Sequence, residues 1–107
     1  MTHKQVEKYI LSMPRAVLDY PFGEDVAVYK VKDKMFALIA EKKVPVRLSL
    51  KCDPLLAETL RRKYESVLHG YHLNKKHWNT IILSGQLNDQ EVKDLILHSY
   101  NLVAQPI

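Results

Sequence analysis

A run of six apolar residues, from Met35 to Ala40, constrains the fold of this 107-residue chain more than any other feature. The run is too short to span a membrane as a helix, and its uniform apolarity indicates a central strand or one covered on both faces. Residues 46–51 alternate instead, with Val46, Leu48 and Leu50 on one face and polar or basic residues on the other. Together these two segments predict a sheet with one well-protected face.

Helix start signals and further strand patterns surround these segments. Three pairs of residues have the spacing of helix N-terminal caps: Thr2 with Gln5, Asp53 with Pro54, and Asn88 with Glu91. Strands are predicted over 26–31 and 78–83, with a weaker edge strand over 67–73. The predicted order is α-β-β-β-α-(β)-β-α. Short connections favour antiparallel neighbours, so we predict an α+β fold with helices packed on one face of an antiparallel sheet.

Length and cysteine content exclude several classes of protein. A chain of 107 residues without repeats or linkers is expected to form a single domain, residues 1–107. The one cysteine, Cys52, excludes an internal disulfide and a CxxC motif, and a reducing cytoplasm is the expected compartment. Cys52 lies between a basic residue and a helix start, where a thiol pKa can be lowered, but the alternative is a small buried apolar side chain.

The positive charge is concentrated in the middle of the chain. Residues 41–79 contain nine Lys and Arg against four Asp and Glu, a net charge of +5, whereas the whole chain carries +4. Such a local excess predicts an anionic partner, although a lysine-rich coat also solvates ordinary domains.

The sheet face without helices is predicted to carry cations beside aromatic rings. Strand alternation places these side chains outward: Tyr29, Arg47, Ser49, Lys51, Trp78 and Thr80. Phosphates would bind the cations and bases could stack on the rings, which is typical of nucleic-acid-binding sheets. The alternative for Trp78 is a buried anchor of the core.

A histidine-rich segment from His69 to Thr80 precedes the last strand. His69, His72 and His77 could be considered as metal ligands, but zinc usually takes four ligands, and the spacing matches no finger motif. We therefore predict no metal and no cofactor, and histidines that are structural or that hold phosphate.

The run HLNKKHWNTI, from His72 to Ile81, resembles the signature of the MmcQ/YjbR-like proteins. RLSLKCDP, AETLRRKY and the upstream FGEDVAVYKVKDKMFALI extend this resemblance over nearly the whole chain. The resemblance implies a CyaY-like α+β fold and the DNA-binding role, with a double-wing arrangement, that is usually ascribed to the family.

We therefore expect a non-enzymatic DNA-binding protein that contacts phosphates through the basic middle segment. No catalytic motif is present to suggest an enzyme. The predicted contact residues are Arg47, Lys51, Arg62, His72, Asn74, Lys75, Lys76, His77 and Trp78. Two alternatives remain open: a protein-interaction module with an apolar patch near Tyr20, Phe22 and Tyr71, or a module that binds a small anion.

Overall fold

A computed structural model describes residues 1–70 and 73–104 of the chain. It contains three helices and six strands in these residues, in the order α1 His3–Leu11, β1 Val17–Asp19, β2 Val26–Val31, β3 Lys34–Ala40, β4 Arg47–Lys51, α2 Pro54–Lys63, β5 Val67–His69, β6 Trp78–Ile82 and α3 Asp89–Ala104. No helix in the described part of the chain is long and apolar enough to cross a membrane.

The strands form a single antiparallel sheet in the order β1-β2-β3-β4-β6-β5. Strand β3, which contains the apolar run, lies near the middle of this sheet. Helix α3 packs across β2, β3 and β4, and α2 packs on β5 and β6. Val6 and Ile10 of α1 are buried in the same core as the inward side chains of these strands. The predicted α+β architecture, with helices on one sheet face, is confirmed.

All three predicted helix starts are present. In α1 the hydroxyl of Thr2 accepts a hydrogen bond from Gln5 N, and Gln5 Oε1 accepts one from Thr2 N. Asn88 and Glu91 form the same reciprocal pair at the start of α3. These bonds satisfy amide groups that would otherwise have no partner within the helix, so local sequence determines where each helix begins.

The structure contains one strand, β1, that the sequence pattern does not predict. Val17–Asp19 pairs with β2 at the edge of the sheet, and all three of its side chains are exposed. A three-residue exposed segment has no hydropathy pattern of its own. Its conformation follows from its hydrogen bonds to β2, a tertiary interaction that the sequence pattern does not reveal.

The prediction that Tyr29 faces outward is wrong. Tyr29 lies beside Ala37 of β3 on the helix-covered face, is fully buried, and donates a hydrogen bond from its hydroxyl to Glu7 of α1. Its neighbour Val28 on the opposite face is also fully buried. Because β2 carries apolar residues on both faces, alternation alone could not orient it.

Candidate nucleic-acid interface

A short turn before β6 presents the central residues of the candidate site. The side-chain Oδ1 of Asn74 accepts hydrogen bonds from Lys76 N at 2.9 Å and His77 N at 3.2 Å. The backbone oxygen of Asn74 accepts a further bond from Trp78 N at 3.0 Å. An asparagine side chain that mimics backbone in this way is a strong turn former. The predicted fixed turn leading into the last strand is therefore confirmed.

This turn places Lys75 and Lys76 at one end of the sheet, next to Lys51. Both turn lysines are exposed, and Lys51 is the last residue of β4, paired with Trp78. His77 O accepts a hydrogen bond from Cys52 N at 2.8 Å, which joins the turn to the end of β4. Residues distant in sequence thus contribute three lysines to one end of the domain, which we name the lysine end: Lys51, Lys75 and Lys76.

The lysine end is not neutralised by acids within the described residues. The ion pairs between described residues involve other cations elsewhere on the domain, such as Lys30 with Asp19 at 3.2 Å and Lys42 with Asp25 at 3.5 Å. No ion pair between described residues includes a lysine of the lysine end. The exposed side chains of Lys75 and Lys76 are thus available to an anion without first breaking an internal pair.

Of the two predicted arginines, Arg47 lies far from the lysine end and Arg62 is engaged in an ion pair. Arg47 is exposed at the opposite end of β4, beside Ile82, so its backbone lies about 13 Å along the strand from that of Lys51. Arg62 is exposed on α2 and donates to Glu58, one helical turn earlier, at 2.5 Å. The predicted contact residues therefore do not form a single cluster of unpaired cations.

Arg61 belongs to the basic middle segment but is not among the predicted contact residues, and the structure places it against the turn. Its Nη1 donates to Asn79 Oδ1 at 2.6 Å and lies 3.5 Å from the carbonyl oxygen of Lys75. Arg61 follows the buried Ala57 by four residues, so both lie on the same face of α2. That spacing is the signal that could have shown which of the two consecutive arginines points inward.

Trp78 and Thr80 occupy the predicted sheet face but are buried there. Trp78 is 8% exposed and packs with Val28 and Leu38 in a second apolar cluster, which Leu73 partly covers. Thr80 is 5% exposed, and its hydroxyl lies 2.7 Å from that of Ser49. Trp78 is thus a buried anchor, as the alternative interpretation of this residue predicted, whereas the expectation that Thr80 faces water is wrong. The predicted open face carries its own small core.

The histidine-rich segment contains no metal cluster in its described residues. His72 and Tyr71, both named in the sequence predictions, lie outside the described residues. Across residues 1–70 and 73–104, no group of three or more His, Cys, Asp or Glu side chains is close enough to hold a metal ion. His77 is half-buried, and its backbone groups bind Asn74 and Cys52.

Part of the alternative apolar patch is visible at the other side of the sheet. Phe22 is 65% exposed and Tyr20 is 42% exposed, near the edge strand β1. The Tyr20 hydroxyl donates to Glu41 at 3.0 Å, and this bond raises the pKa of the phenol. These rings lie close together in sequence, and Tyr20 is hydrogen-bonded to the carboxylates of Asp19 and Glu41.

The Cys52 thiol lies in the interior, so the interpretation of Cys52 as a small buried apolar side chain is confirmed and the alternative of a lowered pKa is not. The residue is 4% exposed, and burial, followed by the nearby charge of Asp53, raises the thiol pKa to about 11. Only a small fraction of the thiol ionises at neutral pH, and the thiolate is the reactive form.

We therefore predict that Cys52 in the folded protein reacts with Ellman's reagent at pH 8 roughly a hundredfold more slowly than a free cysteine. The absorbance of the released thiolate measures the rate. The same protein in urea is the control and should react at the ordinary rate. Comparable rates in both conditions would contradict the burial of this side chain.

Comparisons with known proteins agree on one family. The YjbR family model matches residues 11–102. The uncharacterised protein YbdF of Escherichia coli O157:H7 is 34% identical over 101 residues, covering 94% of this chain and 83% of the relative. The uncharacterised protein YjbR of Escherichia coli strain K12 is 35% identical over 100 residues, covering 94% and 85%.

Two solved structures share the fold. The crystal structure of Deinococcus radiodurans protein DR2400, a DUF419 domain, superposes with a TM-score of 0.94 at 36% identity, covering 98% of this chain and 80% of that one. A crystal structure from Pseudomonas syringae superposes with a TM-score of 0.81 at 32% identity, covering 96% and 99%. The structural similarity thus extends over 96–98% of this chain.

Proposed function

This chain belongs to the YjbR family, and from that premise we propose that it binds DNA through the phosphate groups, using the lysine end as the contact surface. The observation that carries the proposal is the turn capped by Asn74, which presents Lys75 and Lys76 next to Lys51 without an acidic partner among the described residues. Lysines carried at one end of the sheet by a fixed backbone suit a polyanion with regularly spaced charges.

The burial of the aromatic residues favours contact with phosphates over stacking on bases. Trp78 and Tyr29, the two rings that sequence reasoning considered for stacking, are 8% and 0% exposed. A base needs an accessible ring face, so neither side chain supplies a platform for a single strand. In this proposal Trp78 braces the turn from beneath, and the lysines bind a duplex without regard to its sequence.

The proposal predicts a specific dependence on salt. If three lysines each neutralise a phosphate, log K should fall with log salt at a slope of about −3. The double variant Lys75→Ala/Lys76→Ala should reduce the slope by about two units, equally for duplexes of different sequence. Fluorescence anisotropy of a labelled mixed-sequence duplex, titrated at several salt concentrations, measures both quantities.

The matched control removes two lysines elsewhere. Lys42→Ala/Lys43→Ala makes the same change in net charge on an exposed loop, where Lys42 pairs with Asp25. It should leave the slope near that of the wild type. Equal losses in both double variants would mean that net charge alone attracts DNA, and no binding at low salt would reject the proposal in favour of a protein-interaction role near Phe22.

A further inference from the structure

A buried polar contact joins helix α2 to the lysine end. Asn79 is the second residue of β6, is only 2% exposed, and faces the helices. Its Nδ2 donates to the carbonyl oxygen of Ala57 at 3.2 Å, and its Oδ1 accepts from Arg61 Nη1 at 2.6 Å. Because a buried amide oxygen without a partner is costly, this arrangement ties the Arg61 guanidinium tightly to the start of β6.

The same guanidinium reaches the turn itself. Arg61 Nη1 lies 3.5 Å from the carbonyl oxygen of Lys75, the first of the two exposed lysines. The turn is therefore held on two sides, by Asn74 from within and by Arg61 from α2. The neighbouring Arg62 takes no part, since its guanidinium binds Glu58 on the outer face of the helix.

We propose that Arg61 is a positioning residue, which fixes the backbone of the turn so that Lys75 and Lys76 are held ready for an anion, and which does not itself contact the phosphate. This inference rests on the proposed function for its binding consequence only. Pre-ordering a loop lowers the entropy that is lost when a ligand binds. Loss of Arg61 should thus weaken binding without changing the number of phosphates neutralised.

The experiment compares Arg61→Gln with Arg62→Gln, two neighbouring substitutions that remove the same charge. Amide hydrogen exchange at Lys76 and His77, read by NMR on the free protein, should be faster by about tenfold in Arg61→Gln and unchanged in Arg62→Gln. Duplex affinity should fall about five- to tenfold in Arg61→Gln alone, with the salt slope of the wild type. Arg61→Lys keeps a donor for Asn79, so its amide exchange rates and its duplex affinity should lie between those of the wild type and those of Arg61→Gln. If Arg61→Gln does not fold, Arg61→Lys is measured in its place.

Each outcome decides the proposal. Wild-type exchange in Arg61→Gln, or in the folded Arg61→Lys if only that variant can be measured, would overturn it. A salt slope flatter by about one unit would also overturn it, because Arg61 would then be a direct phosphate contact. Failure of the wild type to bind any duplex would reject the proposed function, whereas the exchange rates would still decide whether Arg61 orders the turn.

Discussion

Replacing Ile96 with alanine is expected to lower the free energy of unfolding by about 2–5 kcal/mol. Ile96 is fully buried in the main core, on the face of α3 that packs against the middle strands. Truncation removes apolar surface from this core and leaves a cavity that the rigid sheet can fill only in part. Equilibrium denaturation in urea measures the loss, and the m value, which is the dependence of the unfolding free energy on urea concentration, should be unchanged.

The next residue along the helix provides the control. Leu97 is 43% exposed on the outer side of α3, so Leu97→Ala removes little buried surface and introduces a better helix former. It should change the free energy of unfolding by less than about 0.5 kcal/mol. A similar loss for both variants would show that α3 is rotated from the orientation described above.

Replacing Gly70 with alanine is expected to destabilise the protein by about 1–3 kcal/mol. Gly70 is buried where the chain leaves β5, and its amide donates to the carbonyl oxygen of Trp78 at 3.0 Å. A Cβ atom there would lie 2.7 Å from the Cβ of Trp78 and 3.1 Å from that of Leu73. Since a Cβ moves only with its backbone, the strand pair itself would have to shift.

Thermal or urea denaturation measures this effect, and Leu68→Ala is the control. Leu68 lies on the same short strand but is 43% exposed, so its truncation should cost less than about 1 kcal/mol. The Trp78 fluorescence of the folded Gly70→Ala variant should also change, because the atom that the new Cβ would meet belongs to the Trp78 side chain. Wild-type stability for Gly70→Ala would mean that β5 and β6 do not approach as closely as described.

Local signals in the sequence predicted most of the fold. The cap pairs Thr2 with Gln5 and Asn88 with Glu91 begin helices as expected, and the Asn74 turn forms as its side chain predicts. Each of these features depends on atoms a few residues apart, so composition and spacing suffice to identify it. The resemblance to the YjbR family was recognisable for a similar reason, from a contiguous run of residues around that turn.

The orientation of aromatic residues could not be predicted in the same way. Tyr29 lies under the helices and Trp78 lies in a second small core on the opposite sheet face. Both belong to strands with apolar residues on each face, so the alternation of residue types does not show which face is exposed to solvent. Strand β1 was missed because three exposed residues become a strand only by pairing with β2.

The sequence by itself determined the three helices and the strands other than β1, the positive middle segment and the lysines of the turn. Only the tertiary structure decided which basic residues lie near the turn. Lys51 joins the turn because β4 and β6 pair, whereas Arg47 stands at the far end of the same strand. Arg61 rather than Arg62 reaches the turn because one faces the sheet and the other pairs with Glu58. Proximity between elements depends on strand register and helix rotation, which are set by packing across the whole core rather than by neighbouring residues.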